Sequence, residues 1–537
     1  MSKRAWALAA LLLLSVPAAA TAAAAAAVPW QGRVFDDRDG NGVPGPGEPG
    51  IPGVLVSDGR TLARTDGDGR YALEARPGVP VFVLKPAGWT AGVRGDGLPA
   101  TWHAPAADGA RLRDHAGADF ALRRAPEADA GPLRVLLFAD PQVKSAEQLD
   151  YYARDIVEPL LAGGPPRARL GISLGDIVDD AVDLYPGINA VTARLGLQWL
   201  HLTGNHDLDP DASGDCDSLS SFRAVYGPDT FAWHEPEADF VLLDDVVLPS
   251  GPRGGYVGGL REDQFDFLEA WLPTLSKDRL LVLAVHIPLF DTAQPGRPET
   301  FRAADRERLF ALLREVPKLL VISGHRHTLR HHMHGPADGW HGAAPLHEFN
   351  VGAASGAFWS GAPDADGIPD ATMADGTPNG HARLEIARDG GYRLSWHPAR
   401  LPADEPSRTA AMHLHAPRVL RRGAYPAWAV YANVYMGLPD TRVEYRVDDG
   451  EWTPMLRVER PDPALLAENA RDDAAPALRG LDRSPEAVPS PHLWRGALPT
   501  GLAPGTHAIE VRAFDRWQGE QRASTRYRLD VLTPPAR

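Results

Sequence analysis

Five short apolar runs divide the middle of the chain, and polar side chains follow each of them. The runs are RVLLFAD, RLGISLGD, LQWLHLTGNHD, RLLVLAVHIP and KLLVISGHRH. They are rich in Leu, Val and Ile without polar alternation, which is typical of strands buried on both faces. Because the carboxyl ends of parallel strands meet at one edge of a sheet, the side chains that follow should converge. Those side chains are Asp140, Asp176, Asn205, His206, His286, His325 and His327.

Helical patterns lie between these strands. Phe265, Leu268, Leu272 and Leu275 fall on one face of a helix, and residues 302–316 repeat that spacing. Strands that alternate with amphipathic helices predict an α/β layer architecture for a domain over residues 128–400.

Both flanks are predicted to be all-β. Residues 28–127 contain RYALEA and VPVFVLKP between Gly, Pro and Asp turns, and residues 401–537 contain RVEYRVDDGEW and THAIEVRAFDRW. These patterns predict an N-terminal β-sandwich module and a C-terminal β-sandwich. We expect residues 460–490, which are rich in Ala, Asp and Pro, to form a long loop in the C-terminal domain.

The first 27 residues begin with Lys3 and Arg4, continue through an apolar Leu/Ala run and end in small residues. That order predicts a secretory signal peptide over residues 1–27. No later run is apolar over the roughly 20 residues that a membrane-spanning helix needs. We therefore expect an exported protein, periplasmic or secreted, with no stable membrane insertion.

Composition and net charge argue against one further class of binding partner. The 537-residue chain has a formal net charge of −15, or −17 once Lys3 and Arg4 leave with the signal peptide. This acidity argues against nucleic acid as a partner. Cys216 is the single cysteine, so no intrachain disulfide can form.

A calcium-loop pattern lies near the start of the N-terminal domain. Asp37, Asp39, Asn41 and Glu48 match D-x-[DN]-x-[DN]-G-x5-E. A strand pattern precedes the loop where an EF-hand would have a helix, so a calcium site and a plain acidic turn both remain open.

The polar residues after the five apolar runs suit metal binding. A single Asp after a strand is commonly a turn or a helix cap. Carboxylate, amide and imidazole groups that recur together instead form a site for two divalent metals, which can drive displacement at phosphorus.

FADPQ, GD, GNHD, AVHIP and GHRH resemble the five ordered blocks of the calcineurin-like metallophosphoesterases, over roughly residues 133–400. The resemblance implies an α/β sandwich core with two divalent transition metal ions: manganese, iron or zinc. It implies one metal on Asp140, Gln142, Asp176 and His327, and another on Asp176, Asn205, His286 and His325, with Asp176 bridging. It also implies a catalytic role for His206, with Asp207 orienting that ring.

Gln142 departs from the commonest form of the first block, which has His at this position. A glutamine can still bind a metal through its side-chain oxygen. Oxygen in place of nitrogen favours harder ions, so manganese or iron(II) gains over zinc at this site.

Two nearby segments carry further expectations. His331, His332 and His334 follow the last block and could form a further metal cluster, but we expect them to lie on a solvated strand and turn. The Gly/Pro/Asp loop over residues 361–380 contains DGTPNG and resembles a segment of the multidomain exported bacterial branch. We expect this loop to border the substrate cleft, with Trp359 either buried or stacking there.

The resemblance implies hydrolysis of a phosphoester by in-line attack of hydroxide held on the metals. The substrate would be a small-molecule or envelope-derived phosphoester. A phosphodiester is favoured over a monoester, because no cluster of Arg or Lys accompanies the five blocks to clamp a dianion. The alternative is a catalytically weak or inactive cell-envelope binding protein that uses its β-domains.

Overall fold

A computed structural model describes residues 27–104, 118–125, 131–249, 255–290, 292, 298–402, 404–425 and 428–531. The predicted signal peptide lies outside the described residues, apart from Ala27. Within the described ranges, no helix has both the length and the apolar character needed to cross a bilayer.

In the described part of the N-terminal region there are eight short strands. They are β1 (Val28–Asp36), β2 (Leu55–Ser57), β3 (Leu62–Arg64), β4 (Arg70–Ala75), β5 (Val81–Val83), β6 (Trp89–Ala91), β7 (Trp102–His103) and β8 (Phe120–Arg124). They make two four-stranded sheets of order β4-β1-β8-β6 and β3-β2-β5-β7. Along β4 exposed and buried residues alternate, as expected for a sheet with one face toward a core.

Thirteen strands build the central region. They are β9 (Leu133–Phe138), β10 (Leu170–Leu174), β11 (Gln198–Leu202), β12 (Thr230–His234), β13 (Ala238–Leu243), β14 (Val246–Val247), β15 (Val257–Gly258), β16 (Leu280–Ala284), β17 (Leu319–Ser323), β18 (Arg330–His334), β19 (Leu346–Asn350), β20 (Gly380–Ile386) and β21 (Tyr392–Pro398). One large sheet has the order β11-β10-β9-β20-β21, and the other has the order β12-β13-β16-β17-β19-β18. Strands β14 and β15 pair with each other in a separate two-stranded sheet. Strands β9 to β11 are parallel to one another, as are β13, β16, β17 and β19.

The two central sheets share one apolar core and carry helices on their outer faces. The helices are α1 (Ala146–Tyr152), α2 (Glu158–Leu161), α3 (Tyr185–Thr192), α4 (Ser220–Tyr226), α5 (Glu262–Trp271) and α6 (Ala303–Leu313). Leu137 of β9 packs in the cluster shared with Val282 of β16, whereas Leu136 belongs to the cluster with Tyr152. The apolar runs are therefore buried on both faces, and the predicted α/β sandwich core is confirmed.

Nine strands form the C-terminal region: β22 (Met412–His415), β23 (Val419–Arg421), β24 (Ala429–Val434), β25 (Val443–Val447), β26 (Thr453–Pro454), β27 (Leu456–Pro461), β28 (Pro489–Ala497), β29 (Gly505–Asp515) and β30 (Gly519–Asp530). Their sheets have the orders β22-β24-β28-β27 and β23-β30-β29-β25-β26. Val430, Trp494 and Ile509 pack in the core between them. Flanking β sheets on both sides of the α/β core are thus confirmed.

The prediction of one long loop over residues 460–490 is wrong, because α7 (Pro463–Ala474) lies inside it. Asp462 caps this helix by accepting hydrogen bonds from the backbone N–H groups of Ala464 and Leu465. An Asp cap followed by Pro at the first helical position is a start signal visible in the sequence. The acidic and Ala-rich composition concealed it.

The DGTPNG segment packs against the C-terminal strands. Asp375 lies 3.1 Å from Nε2 of His492, and its backbone oxygen accepts a hydrogen bond from Asn433. Asn379 is buried and donates hydrogen bonds to Asp155 and to the carbonyl of Ala354. Asp375 therefore joins this segment to the C-terminal strands, and Asn379 holds it against the core. That the loop borders the substrate cleft stays a prediction.

Candidate metal centre

The structure brings the predicted ligands together at the carboxyl ends of strands from both central sheets. Asp140 lies two residues beyond β9 and Asp176 two beyond β10, both in the five-stranded sheet. His286 and His325 each lie two residues beyond their strands, β16 and β17, in the six-stranded sheet. The site therefore lies where the edges of the two sheets meet.

Five of the predicted ligands have left-handed backbone conformations. Their φ angles are 48° at Asp140, 39° at Gln142, 48° at Asp176, 72° at His325 and 49° at His327. Such conformations cost of order 1–3 kcal/mol at each non-glycine residue and persist only where the surroundings impose them. Strain at so many ligands indicates that the fold holds their side chains in set positions.

Glycines make room for this arrangement. A Cβ atom on Gly204 would lie 2.2 Å from Oδ1 of Asp176. A Cβ atom on Gly175, which has a φ of 86°, would lie 2.5 Å from Nδ1 of His286. Both contacts are far closer than van der Waals distance, so these positions require glycine.

One half of the centre contains Asp176, Asn205, His286 and His325. A ligand atom from each of Asp176, His286 and His325 lies within 4.8 Å of the others. His286 donates from Nδ1 to the carbonyl of Leu174 at 2.8 Å. Its Nε2 therefore faces Oδ2 of Asp176 at 3.3 Å and Oδ1 of Asn205 at 3.2 Å. A backbone acceptor that orients the ring is the usual arrangement for a metal-binding histidine.

The other half contains Asp140, Gln142 and His327, with Asp176 between the halves. His327 donates from Nδ1 to the carbonyl of Gly356 at 2.6 Å, which leaves Nε2 3.6 Å from Oδ1 of Asp140. Gln142 lies 3.2 Å from Oδ2 of Asp176 through its side-chain nitrogen. Asp176 thus contacts residues of both halves.

Two buried atoms test whether this site fits metal ions. Oε1 of Gln142 and Nδ1 of His325 are buried without a hydrogen-bond partner among the described residues. Buried polar atoms ordinarily have partners, and leaving one unmade costs about 1–3 kcal/mol. An amide oxygen and an imidazole nitrogen are both metal ligands, so the donor set fits two divalent transition ions.

The electrostatic environments of His325 and His286 differ. Burial and the neighbouring His286 lower the pKa of His325 to about 3, so its imidazole is neutral and can donate a lone pair. Burial opposes a charge on His286, but Asp176 outweighs it and raises the pKa of His286 to about 10. A cation that binds at His286 therefore displaces a proton.

His206 lies beside the centre with its side chain 27% exposed. Asn205–Asp207 forms a 3-10 turn. Nδ1 of His206 lies 3.0 Å from Oδ1 of Asp180 and 3.2 Å from Oδ1 of Asp179. Burial lowers the pKa of His206, but Asp176, Asp180 and Asp179 together raise it above its usual value.

The expectation that Asp207 orients His206 is wrong. Asp207 is fully buried and accepts hydrogen bonds from the backbone N–H groups of Gly204 and Ile177. Tyr185 also donates to it at 3.1 Å. Asp207 therefore holds together the two loops that carry Asp176 and Asn205, and Asp179 and Asp180 contact the His206 ring.

Exposed aromatic rings lie at the rim of the site. Phe358, 46% exposed, stacks on His327 with centroids 4.7 Å apart and lies 6.4 Å from His206. Tyr256, 43% exposed, meets His325 edge-on at 5.8 Å. Trp359 is instead buried, and its ring N–H donates a hydrogen bond to the carbonyl of Pro141. Of the two alternatives for Trp359, burial is confirmed and stacking in the cleft is wrong.

The histidines after the last block form strand β18, but they are not solvated as predicted. His334 is fully buried and bonds Glu348, and His332 is only 20% exposed. His331 stacks on Phe349 and lies 3.0 Å from His347. Apolar neighbours from the sheet and its helices cover this strand, which its histidine-rich sequence did not suggest.

The calcium-loop residues also converge. Asp37, Asp39 and Glu48 each place a carboxylate oxygen within 4.8 Å of the others. Asp37 also accepts hydrogen bonds from the backbone of Gly40 and Asn41, as an acidic turn would. Calcium binding stays a prediction.

Sequence reasoning missed Asp179, Asp180, Phe358 and Tyr256. Asp179 and Asp180 stand only three and four residues after Asp176, in GDIVDD, and a search for acidic groups beside that block could have found them. Phe358 precedes Trp359 in the segment between β19 and β20, where no pattern distinguishes the exposed ring from the buried one.

Comparison with known families agrees with this geometry. Residues 133–329 match the family model described as calcineurin-like phosphoesterase, and residues 348–520 match the model for the C terminal of calcineurin-like phosphoesterase. Together the two models span more than half of the chain. The chain belongs to the calcineurin-like phosphoesterase family. Enzymes of this family hydrolyse phosphoester bonds and typically bind a pair of metal ions, so this calcineurin-like phosphoesterase is a hydrolase.

Three solved structures resemble this calcineurin-like phosphoesterase at low identity. Purple acid phosphatase PPD1 from yellow lupin (Lupinus luteus) seeds is 13% identical, with 70% of this chain and 67% of that chain covered and a TM-score of 0.39. GAP50, the anchor in the inner membrane complex of Plasmodium, is 12% identical, with 50% and 85% covered and a TM-score of 0.31. TT1561 of Thermus thermophilus is 11% identical, with 50% and 100% covered and a TM-score of 0.29. The comparison with curated proteins found no match.

Proposed function

We propose that this metallophosphoesterase acts outside the cytoplasm and prefers phosphodiesters to phosphomonoesters. The observation that carries the proposal is the pair of exposed rings beside the metal-binding histidines, Phe358 next to His327 and Tyr256 next to His325. They offer an apolar surface beside each half of the centre.

Two divalent cations, when bound, would supply Lewis-acid activation of water and neutralise charge on the phosphoryl oxygens. One set of ligands would be Asp140, Gln142, Asp176 and His327, and the other Asp176, Asn205, His286 and His325. The strained backbone at five of these residues supports a site organised before substrate arrives, which lowers the reorganisation that the reaction requires.

His206 would act as the general acid. Its Nδ1 is engaged by Asp180 and Asp179, so Nε2 is the nitrogen available to the substrate. The raised pKa of His206 keeps the ring protonated at higher pH than a free imidazole. A protonated Nε2 can give its proton to the leaving oxygen as the ester bond breaks.

The residues at the rim of the site favour a phosphodiester over a phosphomonoester. A diester carries one negative charge and two organic groups, whereas a monoester carries up to two charges and one group. Exposed Arg326 lies close enough to Tyr256 and His325 to alter their pKa values, and it supplies one positive charge at the rim. One guanidinium with two aromatic surfaces matches the diester better than the dianion.

Hydrolysis of bis-p-nitrophenyl phosphate and p-nitrophenyl phosphate tests this preference. We expect kcat/KM to be higher for the diester. Phe358→Ala should lower kcat/KM for the diester by about threefold to tenfold, mainly through KM, because a stacked ring contributes about 0.5–1.5 kcal/mol. The monoester should change less.

Tyr425→Ala, which removes a ring that is 92% exposed in the C-terminal region, is the matched control and should change neither substrate. Higher kcat/KM for the monoester, with equal effects of Phe358→Ala on both substrates, would contradict the diester proposal.

Substitution of His206 tests its role separately. His206→Ala should keep its metal content and fold while losing roughly 10²–10⁴ in turnover on an alkyl phosphoester. The loss should be smaller for p-nitrophenyl esters, because p-nitrophenolate departs with little need of a proton. An equal loss on both substrates would indicate that His206 stabilises phosphoryl charge, and lost metal would make it a ligand.

Export forms the remaining part of the proposal. Lys3 and Arg4, the apolar run and the small residues that follow support cleavage near Val28. Expression of the full chain in a Gram-negative host, followed by fractionation and N-terminal sequencing, tests it. Recovery from the periplasm or medium with an N-terminus near Val28 is expected, and an uncleaved chain in the cytoplasm would contradict it.

A further inference from the structure

A second group of potential ligands lies outside the dinuclear centre, on edge strand β18 and the turn that follows it. His332 and His334 are two residues apart on the strand, so their side chains lie on the same face of the sheet. Asp338 closes the 3-10 turn Pro336–Asp338 directly after the strand. One ligand atom from each of the three residues lies within 4.8 Å of the others.

The hydrogen bonds of this cluster leave metal-binding atoms without partners. His334 uses Nε2 to bond Oε2 of Glu348 at 2.6 Å, while its Nδ1 is buried and has no hydrogen-bond partner in the described structure. Nε2 of His332 is likewise buried and makes no hydrogen bond there. Asp338 uses Oδ2 to cap the turn at the N–H of Gly335, and its Oδ1 lies 3.4 Å from Nε2 of His332.

Glu348 stands behind His334 as a supporting carboxylate. It is fully buried, and Oε1 accepts hydrogen bonds from the hydroxyl of Ser323 and the N–H of Leu289. A carboxylate that holds the outer nitrogen of a histidine fixes the ring's orientation and strengthens its other nitrogen as a ligand. The same arrangement recurs in many zinc sites.

Aromatic neighbours hold the two imidazoles in place. Phe290 stacks on His332 with centroids 4.9 Å apart, and Phe310 meets His334 edge-on at 5.1 Å. His332 is 20% exposed and Asp338 is 32% exposed, so an ion can enter from solvent. The His334 ring is therefore buried, whereas the His332 ring is packed on one side and partly open to water.

We infer that His332, His334 and Asp338 form a third metal site, mononuclear and selective for zinc-like divalent ions. Two imidazole nitrogens and one carboxylate oxygen suit zinc, with water completing the tetrahedron. Bonds of about 2.0–2.1 Å place ligand atoms roughly 3.4 Å apart in such a site. Nε2 of His332 and Oδ1 of Asp338 are 3.4 Å apart.

A bound ion would join the edge strand to its turn and supply a partner to the two buried nitrogens that make no hydrogen bond within the described residues. Each buried nitrogen without a partner is unfavourable, so the ion removes two such penalties at once. The unfolded chain lacks this arrangement of ligands, so zinc would bind the folded state preferentially. Binding would therefore also raise the melting temperature. This inference is independent of the substrate and of the proposed catalytic roles.

Zinc stoichiometry of the full chain tests the inference. Protein is stripped with chelator, reloaded with Zn²⁺ and analysed by inductively coupled plasma mass spectrometry after buffer exchange. His332→Gln should bind one zinc ion fewer than the wild type. His341→Gln, which removes an exposed imidazole three residues beyond Asp338, should bind the wild-type number.

Asp338→Asn provides a second variant that should fold, because its amide oxygen can still cap Gly335. It should weaken zinc binding at this site at least about tenfold in calorimetric titration, with the other sites unchanged. Circular dichroism and melting curves confirm that each variant is folded. Equal zinc stoichiometry and equal affinity in folded His332→Gln, Asp338→Asn and wild type would overturn the third site, and hydrolysis assays would not bear on that result.

Discussion

Oδ1 of Asp180 lies 3.0 Å from Nδ1 of His206, and this contact places a carboxylate behind the proposed acid. The carboxylate stabilises the protonated imidazole and raises its pKa, so Asp180 is a positioning residue for His206. Because Asp179 contacts the same nitrogen, the two acidic side chains share this role.

Asp180→Asn should therefore shift the pH dependence of hydrolysis. The loss of one negative charge lowers the pKa of His206, so the protonated acid disappears at lower pH. The alkaline limb of the kcat profile on an alkyl phosphoester should move to lower pH, with little change on bis-p-nitrophenyl phosphate. Exposed Asp183, in the next turn, supplies the control Asp183→Asn. Identical profiles for Asp180→Asn and wild type would remove Asp180 from this role.

The side chain of Gln142 should determine which metal ion its half of the centre prefers. Its buried Oε1 has no partner in the described structure, which fits an oxygen ligand. Gln142→His should tighten binding at its half of the centre and move the preferred ion from manganese or iron toward zinc. Competition between Mn²⁺ and Zn²⁺ followed by elemental analysis measures the change. The same metal preference and affinity in both proteins would place Gln142 outside the ligand set.

Gly204→Ala tests how tightly the centre is packed. The added Cβ would lie 2.2 Å from Oδ1 of Asp176, so the carboxylate must move. Metal affinity should fall by at least about tenfold, consistent with the effect of disturbing groups that orient ligands. Gly163→Ala is the matched control, because its Cβ meets nothing within 4 Å. Equal metal affinity in both variants would show that Asp176 tolerates displacement.

The strands and the convergence of the candidate ligands could be predicted from the sequence, because each apolar run is buried on both faces and is followed by polar residues. Leu136 and Leu137 pack in different apolar clusters on opposite faces of the strand. A strand buried on both faces requires a continuous apolar run, which is visible in the sequence. The assignment of individual ligands to metals remains a prediction.

Side-chain directions could not be predicted. Asp207 is adjacent to His206 in the chain, yet the 3-10 turn directs its carboxylate to the backbone of Gly204 and Ile177. The left-handed conformations at Asp140 and His325 likewise depend on the surrounding fold, since only a minority of Asp and His residues adopt them. Helix α7 was predictable from the Asp462–Pro463 cap, but its polar composition favoured a loop.

The metal content of Asp176→Asn tests the central claim most directly, because Asp176 contacts residues of both halves of the centre. Chelated protein reloaded with Mn²⁺ should contain two manganese ions per wild-type chain, since the separate histidine cluster binds this ion weakly. Asp176→Asn should lose both ions and most hydrolysis of bis-p-nitrophenyl phosphate, whereas Asp183→Asn should keep both. Two manganese ions and unchanged turnover in folded Asp176→Asn would contradict the dinuclear centre described for this protein.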